Sequence, residues 1–181
     1  MKKEEFGGPA AGKEGQTGAE EVSSSFVLRS PFIYYLGLGT NLGDKEQNLR
    51  TAVREIEERV GQVTALSAFY VTEPWGFSSD NGFLNAACGV KTSLSPFEVL
   101  ALTQEIERTM GRTCKSEGGV YHDRIIDIDL LLCLDASGGQ VCVDTPQLKL
   151  PHPLMHLRDF VMKPLLEIMP GAAGLIRPNA E

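Results

Sequence analysis

Two aspartates one residue apart, Asp127 and Asp129, stand in the run Arg124-Ile125-Ile126-Asp127-Ile128-Asp129-Leu130-Leu131-Leu132. Alternate side chains of a strand share a face, so the two carboxylates project the same way, about 6.5 to 7 Å apart. Such a pair repels itself unless a cation sits between its members. Mg²⁺ suits the position, because it takes oxygen ligands, keeps several waters and bridges to phosphate groups. The plainer alternative is a strand entrance whose acids face water. Against it, Ile128 and the 130–132 leucine run mark a buried strand, where acids need a reason. Basic residues also gather in the flanking sequence (Arg112, Lys115, Arg124, His152, Arg158), as docking of a polyanion would require.

Other constellations are weaker. His152 and His156 have the i, i+4 spacing of a helical metal pair, but Pro151 and Pro153 bracket His152 and the H-E-x-x-H glutamate is missing. A single imidazole against phosphate is the better reading of His152. Gly37, Gly39, Asn41 and Gly43 lack the Lys-Ser/Thr of a P-loop, so they read as a strand-to-helix turn in which Asn41 could offer its amide to a ligand. Trp75, the only tryptophan, lies between Pro74 and Gly76 in a loop, where stacking on a flat ligand is an alternative to core burial.

These residues need a scaffold. Hydrophobic spacing predicts a strand over 32–38, then a helix with Leu49, Ala52, Val53, Ile56 and Val60 on one stripe, stopped by Gly61. Strands follow over 63–70 and 83–92. Ser95-Pro96-Phe97-Glu98 supplies an N-cap, a proline at the first helical position and a capping-box glutamate, with Leu94 and Val99 as a staple. That second helix is expected to run to Met110, with Val99, Leu102, Ile106 and Met110 as its core stripe and Gln104 and Glu107 together on another face. After a polar stretch over 112–123, a strand spans 124–134 and turns at 135–140 into a hairpin partner over 141–144. A third helix over 158–168, disturbed by Pro164, precedes a proline-rich tail. The expected architecture is an α+β, ferredoxin-like sandwich: helices on one face of a mainly antiparallel sheet, plus an extra hairpin.

With 181 residues, 42% hydrophobic and 23% charged, the chain has room for one core. Residues 1–30, rich in Gly, Ser, Glu and Lys, are expected to be a disordered N-terminal extension, leaving 31–181 as the domain. The net charge of −7 argues against nucleic acid held by bulk charge. No apolar run is long enough to span a membrane, no secretory leader is apparent, and the four cysteines form no C-x-x-C pair, so a cytoplasmic protein with free thiols is expected.

Six pieces in order resemble the 6-hydroxymethyl-7,8-dihydropterin pyrophosphokinase family of folate biosynthesis. They are Leu38-Gly39-Thr40-Asn41-Leu42-Gly43-Asp44, Tyr70-Val71-Thr72-Glu73-Pro74-Trp75-Gly76, Phe83-Leu84-Asn85-Ala86-Ala87, Gln104-Glu105-Ile106-Glu107 with Gly111-Arg112, Arg124 to Asp129, and Pro151-His152 with Arg158 and Phe160. The resemblance implies transfer of pyrophosphate from ATP to the hydroxymethyl group of a dihydropterin, releasing AMP, with two Mg²⁺ ions at Asp127 and Asp129. It implies that Gln104, Glu107, Arg112, Lys115, Arg124, His152 and Arg158 hold ATP, Arg112 and Arg124 closing over the phosphates in a catalytic role beside the two aspartates. Thr72, Trp75, Phe83, Asn85 and Phe160 would form the pterin pocket, with Phe83 and Phe160 sandwiching the ring and Asn85 reading its edge. A monomer is expected. The chain departs from the family pattern where Trp-x-Pro-Arg commonly precedes the acidic pair: here the run is Tyr121-His122-Asp123-Arg124.

Two other classes compete. One is a non-catalytic ferredoxin-like binding module for a small ligand or RNA, of which RNA binding is disfavoured by the acidic charge and the lack of an aromatic-basic strand. A metal-dependent nucleotidyltransferase would use the same acidic pair but release free pyrophosphate in place of AMP.

Overall fold

The computed structural model describes residues 30–73, 81–111 and 123–175. The expected extension over 1–30, with Trp75, Arg112, Lys115 and Cys114, lies outside them, apart from Ser30. In chain order the elements are β1 (Phe32–Thr40), α1 (Lys45–Arg59), β2 (Gln62–Leu66), β3 (Tyr70–Thr72), β4 (Phe83–Thr92), α2 (Pro96–Thr109), β5 (Asp127–Leu134), β6 (Val143–Asp144), β7 (Lys149–Leu150), α3 (Asp159–Ile168) and α4 (Ala172–Leu175). A 3-10 turn, Met155–Leu157, precedes α3.

The main sheet runs β2-β4-β1-β5, antiparallel throughout, with β3 also on β4. Each of the two strand-helix-strand passes therefore straddles a strand of the other, the interleaved arrangement of a ferredoxin-like sandwich. The single edge strand expected over 63–70 is broken. Ser67 bonds across to Ala87 with its backbone N–H (2.9 Å) and accepts from the Ala87 N–H at its Oγ (2.9 Å), which interrupts the ladder before β3 resumes it.

The helix ends form as their sequences dictate. Asp44 caps α1 by accepting from the Gln47 N–H (3.0 Å). Ser95 and Glu98 make the reciprocal capping box of α2, and Gly111 ends it at a φ of 101° that favours glycine. Helices α1 and α2 cover one sheet face over a core of Tyr34, Leu36, Leu38, Leu49, Ile56, Ile106 and Ile128. The buried stripe of α2 differs from the expected one. Val99 and Ile106 are buried as expected, but so are Thr103 and Glu107, while Leu102 and Met110 are only half-buried. Thr103 enters the core because its hydroxyl donates to the Leu100 carbonyl (3.0 Å).

The expectation that helices occupy one face needs correction. A second core of Ala87, Leu131, Leu132, Met155, Val161, Leu165 and Ala172 lies on the opposite face, where α3 packs. The tail from Pro170 is partly helical as α4. The extra hairpin is present but differently paired: only Gln140 bridges back to Leu134, and β6 pairs with β7 in a separate two-stranded sheet. Cys88 and Cys133 are buried free thiols, whereas Cys142 is exposed. Among the described residues no helix is long and apolar enough to cross a membrane.

Candidate functional site

Strand alternation decides which residues meet under α3. On β1, Tyr34, Leu36 and Leu38 point into the α1/α2 core, so Gly37 and Gly39 face the other way. Gly37 pairs with Asp129 and Gly39 with Asp127 on β5, while Gly39 pairs with Asn85 on β4. Two residues without side chains thus leave a trough in the sheet, flanked by an amide on one side and two carboxylates on the other. A side chain at Gly39 would press on the amide, since its Cβ would come 2.9 Å from the Asn85 Oδ1.

Two cavities meet at the aspartates beside this trough. The smaller, about 60 Å³, lies beneath α3 and is lined by Gly37, Gly39, Thr72, Phe83, Asn85 and Phe160 with both aspartates, Arg124 and Arg158. Asn85 is buried and donates from Nδ2 to the Thr72 Oγ1 (2.7 Å), which fixes its amide. Of the five expected pterin-pocket residues, four line this cavity, and Trp75 lies outside the described residues. Glu73 also lines it and was not singled out from sequence, although it stands inside the quoted Thr72-Glu73-Pro74-Trp75 piece.

The larger cavity, about 420 Å³, runs along the free edge of β5 between α2 and the β6–β7 hairpin. Gln104, Glu107, His152, Arg124 and Arg158 line it, as do Gln147 and Lys149, which sequence reasoning missed for want of any motif around them. Arg112 and Lys115 lie outside the described residues. Glu107 has a structural task as well: its Oε1 accepts from the Ile128 N–H (2.8 Å), holding the edge strand between the two aspartates. A bulge in β5, where Leu131 is skipped between the pairs Tyr35–Leu132 and Leu36–Leu130, leaves the Leu131 carbonyl to accept from the His152 N–H (2.8 Å). Burial and the Arg158 charge push the His152 imidazole down to about 4, and its Nδ1 accepts from the Leu154 N–H (3.3 Å). His156 is exposed on the 3-10 turn.

Arg124, Asp127, Asp129 and Arg158 line both cavities. Arg124 pairs with Asp127 (2.6 Å) and lies 5.8 Å over the Phe83 ring. Burial raises the Asp129 carboxyl well above the usual range, with the Asp127 charge adding to this and Arg158 opposing it. A cation between the aspartates would relieve that cost. Among the described residues no cluster of three or more His, Cys, Asp or Glu gathers, so the donor set is two carboxylates. That set fits Mg²⁺, whose remaining positions take water and phosphate, and does not fit an all-protein cage. Asn41, considered as a ligand donor, is 1% exposed and turned inward, bonded to Asp123 and to the Arg124 backbone.

An interleaved α+β sandwich, with an enclosed pocket and an open polar groove meeting at one acidic strand end, defines a small α+β protein with a two-part candidate site. The chain belongs to the 7,8-dihydro-6-hydroxymethylpterin-pyrophosphokinase family, whose model matches residues 35–170. It is 51% identical over 138 residues to the 2-amino-4-hydroxy-6-hydroxymethyldihydropteridine pyrophosphokinase of Porphyromonas gingivalis, covering 76% of this chain and 91% of that one. The enzyme of the same name from Bacillus subtilis is 43% identical over 137 residues, 75% of this chain and 77% of the relative. A Folic acid synthesis protein of Dictyostelium discoideum is 36% identical over 139 residues, 77% of this chain but only 20% of that longer protein.

Proposed function

We infer that this chain transfers the β,γ-pyrophosphoryl group of ATP to the hydroxymethyl oxygen of 6-hydroxymethyl-7,8-dihydropterin, releasing AMP, a step of folate biosynthesis. Family membership and the names of its relatives support the reaction. The observation that carries the reading onto named residues is the sharing of Arg124, Asp127, Asp129 and Arg158 by the two cavities.

The pterin ring belongs in the small cavity. Phe83 and Phe160 offer it aromatic faces, Asn85 offers a fixed amide edge with Thr72 behind it, and Trp75 adds a further contact. ATP belongs in the groove, contacted by Gln104, Glu107 and His152, with Arg112, Lys115, Arg124 and Arg158 on its phosphates. A neutral His152 serves there as a hydrogen-bonding group, because its depressed pKa keeps it uncharged near neutrality. Transfer of this kind asks the protein chiefly for alignment and charge compensation. The trough beside Gly37 and Gly39 lets the hydroxymethyl group approach the phosphates, and the arginines offset the charge that develops there.

Asp127 and Asp129 would hold two Mg²⁺ ions, which when bound neutralise phosphate charge. We further read residues 31–181 as the catalytic domain, 1–30 as an extension to it, and the active form as a cytoplasmic monomer. Incubation with ATP, Mg²⁺ and 6-hydroxymethyl-7,8-dihydropterin should release AMP. No AMP above a pterin-free control would refute the assignment.

A further inference from the structure

We propose that Asp123 is a positioning residue for Arg124, acting through the side-chain amide of Asn41. The proposal rests on the reading that Arg124 serves the phosphates. Arg124 precedes β5, outside its regular ladder, yet both of its backbone polar groups are held by one residue. Its N–H donates to the Asn41 Oδ1 (2.7 Å), and its carbonyl accepts from the Asn41 N–H (3.1 Å). From that fixed backbone the guanidinium reaches Asp127 and the Phe83 ring, so its aim depends on the Asn41 grip.

An asparagine amide can turn over, exchanging its oxygen and nitrogen at little steric cost, and only one orientation accepts from the Arg124 N–H. Asp123 selects that orientation. Its Oδ1 accepts from the Asn41 Nδ2 (2.6 Å), and a turned amide would set oxygen against carboxylate. Its Oδ2 accepts from the Asn81 Nδ2 (3.0 Å), which fixes the carboxylate in turn. Asp123 is not among the described residues lining either cavity, and it reaches Arg124 through Asn41.

The test uses the full chain and steady-state AMP formation, with melting temperature alongside. Asp123→Ala should lower kcat about tenfold, because loosened aim at the reacting phosphates is felt in the chemical step. Asp123 is exposed, so melting should move by no more than about 2 °C. Asp123→Asn should lose activity similarly, since two amide nitrogens then compete. Adding Asn41→Asp to Asp123→Asn reverses donor and acceptor, reforms the bond, and should bring kcat back to within about threefold of wild type. An Asp123→Ala chain with wild-type kcat, or an Asp123→Asn loss that Asn41→Asp leaves unchanged or deepens, would overturn the proposal. A wild-type chain that makes no AMP would overturn the functional reading, and this proposal with it.

Discussion

The two cavities differ in how they are walled. The small one lies within the packed sandwich, between the sheet face and α3, and its polar groups bond one another, as Asn85 does Thr72. The large one has a sheet edge for a floor and a short hairpin for a wall, and its polar residues are partly spent on holding that edge, as Glu107 is on Ile128. On the proposed reading, the contrast separates a pocket preformed for a rigid, flat heteroaromatic ring from a groove that a long, charged, flexible ligand completes. What joins them is the acidic strand end, so damage there should affect both, while damage elsewhere should stay on one side.

The largest effect is expected at that shared end. Asp127→Ala or Asp129→Ala should lower kcat on the order of a hundred- to a thousandfold, the scale of losing one preorganised electrostatic contact, with the circular dichroism of the fold retained. A variant close to the wild-type rate would remove the metal-binding assignment.

Acidification probes the groove side through stability. With its folded pKa depressed to about 4 against an ordinary 6.5, His152 binds fewer protons folded than unfolded between those values. Its contribution is therefore complete above about pH 6.5 and is lost as pH falls toward 4, up to about 3 kcal/mol. Unfolding curves of His152→Gln should lack that part of the acid slope, and an unchanged slope would show that the imidazole is not buried neutral.

The pocket side is tested more gently by Gly39→Ala. The new methyl crowds the Asn85 amide, so the KM for the pterin should rise about tenfold, roughly 1.4 kcal/mol, with the KM for ATP little changed. Equal increases for both substrates would erase the division between the cavities. Smallest is Ser95→Ala, which removes the α2 cap far from either ligand. It should cost about 1 kcal/mol of stability and leave kcat where it was.

Local chemistry in the chain was enough to place much of this. The capping box at Ser95 and Glu98, the end of the second helix at Met110 and the alternation around Asp127 and Asp129 all act within a few residues. What escaped depends on contacts between distant segments. The break in the edge strand at Ser67 is made by Ala87, twenty residues on. Glu107 reads as a ligand contact because nothing nearby announces that it will take an edge-strand N–H, and Asn41 reads as a donor to ligand because its partners stand more than eighty residues away. The placement of α3 on the second face follows from Leu131, Val161 and Leu165 finding one another, and it is this layer that roofs the aspartates.

The central claim is that the two cavities hold acceptor and donor of a single pyrophosphoryl transfer. ATP labelled separately at its β- and γ-phosphates, incubated with Mg²⁺ and 6-hydroxymethyl-7,8-dihydropterin, tests it most directly. Both labels should arrive on the pterin in equal amounts, with unlabelled AMP released. Both labels in free pyrophosphate, with the α-phosphate on the pterin, would contradict it.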